Sequence, residues 1–257
     1  APMVHWPEVM VTYDEKDKAL FSADAFGTFG ALNGKLFSDE VDFEGEWLPD
    51  ARRYYANIVG KYGVQVQALL KKAAAVDIQM ICPLHGPVWR SGLSWFMDKY
   101  DKWSRYEPED KAVAIIYGSI YGNTENAADA LASRLTEKGV KDVKMYDVSR
   151  THVSELIAEI FRCSHLVLAC STYNGGIYPP MADLLEDMKA LSVQNKTVAL
   201  MENGTWAAAS GRLITAKLEE MKNTTLLDTK ISIKSALQNG RETELDAFAQ
   251  QIVEAMQ

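Results

Sequence analysis

Between residues 110 and 257 the chain repeats a single pattern: a short apolar run, then a polar loop, then an amphipathic stretch. Few folds accept that order. Apolar runs joined through helices form a parallel sheet, because parallel neighbours require long crossovers, and the right-handed sense of those crossovers covers both sheet faces. Strands are expected near 112–118, 143–147, 166–171, 197–202 and 229–234, and helices near 124–138, 153–162, 180–190, 210–222 and 242–256. The last helix carries Leu245, Phe248, Ile252 and Met256 at spacings of three and four, a stripe that belongs in a core. The predicted class is α/β, with a doubly wound parallel sheet of five strands.

The first repeat carries most of the chemistry. Lys111–Gly118 is the apolar run, and Ser119, Ile120, Tyr121, Gly122, Asn123 and Thr124 form the turn that opens the helix. A helix N-terminus offers unpaired backbone N–H groups and the positive end of the macrodipole, so such a turn can hold a phosphate. The turn has no lysine and lacks the Gly-Lys-Ser/Thr of a Walker loop, which points to a single phosphate monoester. Taken alone, the hexapeptide also reads as an ordinary connection in which Asn123 and Thr124 cap the helix.

Two further loops lie at strand ends. Ser171, Thr172, Tyr173, Asn174, Gly175 and Gly176 follow Leu166–Cys170, and Glu202, Asn203, Gly204, Thr205 and Trp206 follow Val198–Met201. Open parallel sheets bind ligands beyond those ends, so three polar loops are expected to converge, with a planar ring beside Tyr173 or Trp206. Trp206 reads either as a cover for one ring face or as core beside Ala207–Ala209, while Glu125 and Glu202 are expected to point outward. On these loops, residues from about 110 to 257 resemble a flavodoxin-type FMN domain. The resemblance implies phosphate at 119–124 and the isoalloxazine at the other two loops.

Composition narrows the function classes. At 257 residues and 47% hydrophobic, the chain can bury a sizeable core in one or two domains. No apolar run approaches the roughly 20 residues needed to cross a bilayer, no signal peptide is expected, and a net charge of -8 opposes a nucleic-acid footprint. Cys82, Cys163 and Cys170 form no CxxC pair, and a reducing cytoplasm is the expected location.

The first 110 residues lack the alternation. Glu107-Pro108-Glu109-Asp110 reads as a charged linker, giving domains 1–108 and 109–257. Upstream, Val9–Asp14 and Ala19–Ser22 read as strands joined by the turn Glu15–Lys18. Asp24 follows the second strand, His85 follows the apolar run Val76–Cys82, and His5 lies in His5-Trp6-Pro7. Singly, each has a plain reading: Asp24 as a turn cap, His85 as a hydrogen-bonded histidine beside prolines, His5 as part of a frayed terminus.

In this order, ahead of an FMN-type domain, His5-Trp6-Pro7, Asp24-Ala25-Phe26-Gly27 and His85-Gly86-Pro87 resemble the C-terminal half of the metallo-β-lactamase-like αββα domain of flavodiiron proteins. The resemblance implies that His5 ligates one iron, that Asp24 bridges both irons and that His85 ligates the other. The family's remaining ligands come from a His-x-Glu-x-Asp motif absent from this chain, so a missing N-terminal segment or a second polypeptide is expected to complete the domain. Otherwise its apolar faces would be exposed. His152 and His165 are expected to be ordinary helix-start and strand-start residues.

The resemblance further implies an oxidoreductase that takes electrons from rubredoxin or a similar donor. FMN and a di-iron site would reduce dioxygen to water or nitric oxide to nitrous oxide, in a head-to-tail homodimer. The alternatives are an FMN electron-transfer module with an incomplete metal site and, last, a zinc hydrolase using Asp24 and His85.

Overall fold

Aromatic side chains organise the first of two units, Ala1–Glu109, in the computed structural model, which describes residues 1–257. Strands β1 (Thr12–Asp14), β2 (Ala19–Ala23) and β3 (Met80–Pro83) form a small sheet in that order, with β1 antiparallel and β3 parallel to β2. The main helices are α1 (Leu48–Tyr54), α2 (Gly63–Ala73) and α3 (Leu93–Ser104). Three short strands supply little apolar area, and large rings make up for it. Phe26, Phe43, Trp89, Phe96, Tyr100 and Trp103 are all buried, with Trp89 stacked on Phe96 at 4.3 Å between centroids and Phe26 against Tyr100 at 4.6 Å.

Several local expectations change here. The run Val9–Asp14 is a strand only from Thr12, and Val76–Cys82 only from Met80, because residues 74–76 turn the chain out of α2. Glu109 is a buried anchor rather than a solvated linker residue. Its side chain is 2% exposed and accepts hydrogen bonds from Arg52 Nε at 2.6 Å, Lys99 Nζ at 3.0 Å and Trp103 Nε1 at 3.0 Å. Burial alone would raise its pKa, but Arg52 and Lys99 overcome this and hold the carboxyl at about 2. Trp6, Met10, Phe21 and Leu84 are all more than half exposed.

The second unit, Asp110–Gln257, contains the parallel sheet. In chain order its elements are β4 (Asp110–Gly118), α4 (Asn123–Glu137), β5 (Val143–Asp147), α5 (Val153–Arg162), β6 (Cys163–Tyr173), β7 (Gly176–Ile177), α6 (Pro179–Ala190), β8 (Thr197–Asn203), α7 (Ser210–Leu218), β9 (Thr225–Ile233) and α8 (Glu242–Ala255). The parallel strands run β5-β4-β6-β8-β9, and β7 adds an antiparallel pair at the end of β6. Ile115, Val167, Met201 and Ile231 share a core with Leu131, Leu135 and the α8 residues Leu245, Phe248 and Ile252, as the stripe requires.

Strand β9 starts earlier than expected. Leu226 pairs with Val198 and Lys230 with Leu200, so the register shift leaves polar Asp228 and Thr229 between paired segments and breaks the apolar pattern. Helix α7 ends at Leu218 rather than near 222, and Met221 is buried in the turn that follows. No helix is long and apolar enough to cross a membrane.

Candidate functional site

The strand order reverses between β4 and β6, and a crevice opens beyond the C-terminal ends of strands flanking such a point. There the three predicted loops enclose a cavity of about 440 Å³, within the range of small-molecule sites. Ser119, Ile120, Tyr121, Asn123 and Thr124 line it from the first loop, Ser171, Thr172, Tyr173, Asn174 and Gly175 from the second, and Asn203, Gly204, Thr205 and Trp206 from the third. Two predicted residues do not line it. Gly122 takes a left-handed conformation, φ +86°, to admit the chain into α4, and Gly176 belongs to β7.

Local chemistry shapes each loop. Tyr173 pairs with Gly176 across Asn174 and Gly175, both at positive φ, which is the Asn-Gly turn of a two-residue hairpin. In the third loop a Cβ on Gly204 would lie 2.2 Å from the Ala207 carbonyl oxygen, so only glycine fits that turn. Some of the lining residues also bond the three segments together. The Thr124 and Ser171 hydroxyls lie 2.8 Å apart, and Asn203 Nδ2 donates to Thr124 Oγ1 at 3.2 Å and to the Ser235 carbonyl at 2.8 Å. Thr172 Oγ1 accepts the N–H groups of Ala209 and Ser210.

The electrostatics suit a phosphate held by dipoles. No lysine or arginine lines the cavity, and the N-terminus of α4 faces it. The Ser119 hydroxyl oxygen is buried there without a hydrogen-bond partner. Glu125 is exposed, as expected, and accepts a hydrogen bond from the Tyr117 phenol at 3.0 Å. Glu202 departs from expectation: it does not line the cavity, yet it is buried rather than directed to solvent. Trp206 is 99% exposed at the rim, so it is not core.

In the first unit the three predicted ligands meet. β2 and β3 are parallel, so Asp24 and His85 leave the same end of adjacent strands, joined by the Leu84 N–H bond to the Ala23 carbonyl. Asp24 Oδ2 lies 3.2 Å from His5 Nδ1, and Oδ1 lies 3.4 Å from His85 Nε2. Each histidine thus faces a different carboxylate oxygen, and His5 Nδ1 is buried without a well-directed partner. Ala23 and Phe26, flanking Asp24, both have positive φ, the kind of backbone strain that collects at functional sites. Imidazole and carboxylate suit iron, though no three His, Cys, Asp or Glu side chains are grouped here in the arrangement of a metal site.

Comparison with known proteins follows the same division. Residues 115–248 match the flavodoxin family, and residues 1–86 match the ODP family beta lactamase. An anaerobic nitric oxide reductase flavorubredoxin of Aeromonas hydrophila is 33% identical over 238 residues, covering 91% of this chain and 46% of that protein. The structure of rubredoxin oxygen:oxidoreductase from Desulfovibrio gigas is similar with a TM-score of 0.90 and 29% identity, over 99% of this chain and 63% of that one. The chain belongs to the flavodiiron protein family. An uncharacterised protein of Methanocaldococcus jannaschii is 33% identical over 222 residues, 86% of this flavodiiron chain and 54% of that protein. The chain spans about half the length of the curated relatives it matches.

Some residues of the cavity and of the Asp24 cluster carry no mark of their own in the sequence. Ser235, Ala207 and Ala209 also line the cavity. Ser235 could have been found by the rule used for the other loops, since it follows the last strand. In the first unit Tyr54 donates its phenol to Asp24 Oδ1 at 3.4 Å, and burial together with the Asp24 charge holds that phenol well above its usual pKa. No sequence spacing marks Tyr54. His152 caps α5 by accepting the Ser154 N–H, and His165 is buried in β6, both ordinary structural roles.

Proposed function

We propose that this chain binds FMN in the cavity of its flavodoxin unit and acts as the flavin-bearing part of a flavodiiron oxidoreductase. The observation that carries this reading is the buried, unpaired Ser119 hydroxyl beside the N-terminus of α4, a donor that a phosphate monoester would satisfy. Ser119–Thr124 would hold the phosphate through backbone N–H groups and hydroxyls. Tyr173 and Trp206, exposed at the rim, would stack on the ring. Bound FMN supplies one- and two-electron transfer, and the chain supplies position and exclusion of water.

For the whole protein, we extend the proposal to reduction of dioxygen to water or of nitric oxide to nitrous oxide, with electrons from a rubredoxin-type donor and subunits paired head to tail. His5, Asp24 and His85 would contribute to a di-iron site completed by ligands from another segment or polypeptide. The second reading is an FMN electron-transfer module with an incomplete metal site.

Titration of the chain with FMN and with riboflavin, followed by flavin fluorescence, tests the first proposal. Tight FMN binding and much weaker riboflavin binding are expected, and equal affinities would remove the phosphate from the 119–124 turn. The iron-to-FMN ratio, with an intact mass of every polypeptide present, tests the second. Iron together with a polypeptide bearing further ligands supports the gas reductase, whereas flavin without iron supports the electron-transfer module.

A further inference from the structure

Strand β8 ends in two residues that face opposite sides of the sheet, as alternation requires. Asn203 lines the cavity; Glu202, just before it, does not, and it is only 3% exposed. Its Oε1 lies 2.6 Å from Lys230 Nζ and accepts the Ser232 hydroxyl at 2.7 Å, while Oε2 accepts the Gly211 N–H at 2.9 Å. Gly211 lies in the first turn of α7, so the carboxylate also caps that helix. The fit is close. A Cβ on Gly211 would approach Glu202 Oε2 to 2.5 Å and Lys230 Cδ to 2.9 Å.

This ion pair holds one end of the segment that carries Trp206. Residues 203–209 run from β8 to α7, bonded at the start through Asn203 and at the end through Thr172 Oγ1 and the Glu202-capped first turn of α7. No charged side chain lines the cavity, so fixed charges one residue behind its wall act on a bound ring without competition from the lining.

We propose that Glu202 and Lys230 are a positioning pair: they fix the Trp206 segment against the flavin, and the balance of their charges sets the potential at which the flavin accepts electrons. The proposal rests on the FMN reading above. Glu202 contributes a negative charge that disfavours electron gain, and Lys230 cancels it.

The test measures FMN affinity, quenching of tryptophan emission by FMN, and flavin midpoint potential in the full chain. Lys230→Met should lower the potential, Glu202→Gln should raise it, and the double variant should return close to the unaltered chain. Opposite signs are the signature, because a merely structural disturbance has no reason to reverse. Potentials that stay put, or that move in one direction for both variants, overturn the proposal. Lys230→Arg should restore both potential and quenching. If Glu202→Gln does not accumulate, the Met and Arg replacements at 230 decide the matter: equal potentials overturn the pairing. Failure of the unaltered chain to bind FMN would instead overturn the reading on which this one rests.

Discussion

In the flavodoxin unit, Thr124 at the start of α4 is hydrogen-bonded to Ser171 at the end of β6 and to Asn203 at the end of β8 without any ligand. In the N-terminal unit, His5, Asp24 and His85 come from three segments and meet only around one carboxylate, with the histidine side chains 37% and 55% exposed. The contrast has a topological cause. A five-stranded parallel sheet delivers several loops to one edge and lets them bond laterally. The β2–β3 pair delivers only two, and His5 reaches them from outside the sheet. A site can therefore be preorganised in one half of a chain while the other half presents only part of a donor set.

The contrast can be broken most strongly at Glu109. Arg52→Ala should leave that carboxylate buried with one cation fewer, destabilising the N-terminal unit by roughly 3–5 kcal/mol in urea unfolding, with FMN affinity unchanged. Coupled loss of flavin binding would show that the two sites depend on each other. Acid should act through the same group. Its folded pKa of about 2 lies below the ordinary 4.5, so its stabilisation is complete above that ordinary value and disappears as pH falls through about 2. Up to roughly 3 kcal/mol is at stake, and Arg52→Ala should flatten that part of the stability profile.

Smaller changes sharpen the picture. Thr124→Val removes the hydroxyl shared with Ser171 and Asn203 and should weaken FMN binding by ~1–2 kcal/mol, read by fluorescence titration. An unchanged affinity would place the phosphate elsewhere. His85→Ala should alter thermal stability by less than about 0.5 kcal/mol and FMN affinity not at all, since the side chain is half exposed. A large loss would mean that the cluster around Asp24 is structural.

Legibility in the sequence followed the range of the forces involved. The strands and helices of 110–257 were readable because burial of both sheet faces imposes apolar runs, and the cavity loops because they follow those runs. β9 was read late because its register shift hides in polar residues. The aromatic core of 1–109 carries no period, since Phe26, Trp89 and Tyr100 are far apart in the chain and meet only on folding. The boundary between the two units falls within Glu107–Asp110, but the burial of Glu109 was not legible because its partners, Arg52 and Lys99, lie on other elements.

By itself, then, the sequence determined the α/β class and the polar turn that opens α4, because periodicity and turn chemistry are local properties; His5, Asp24 and His85 stood out only through their resemblance to flavodiiron proteins. Only the tertiary structure decided which oxygen of Asp24 faces which histidine, that Trp206 stands at the rim, and that Glu202 is buried against Lys230 and Gly211. Those outcomes depend on distances between segments remote in the chain, which no local pattern encodes.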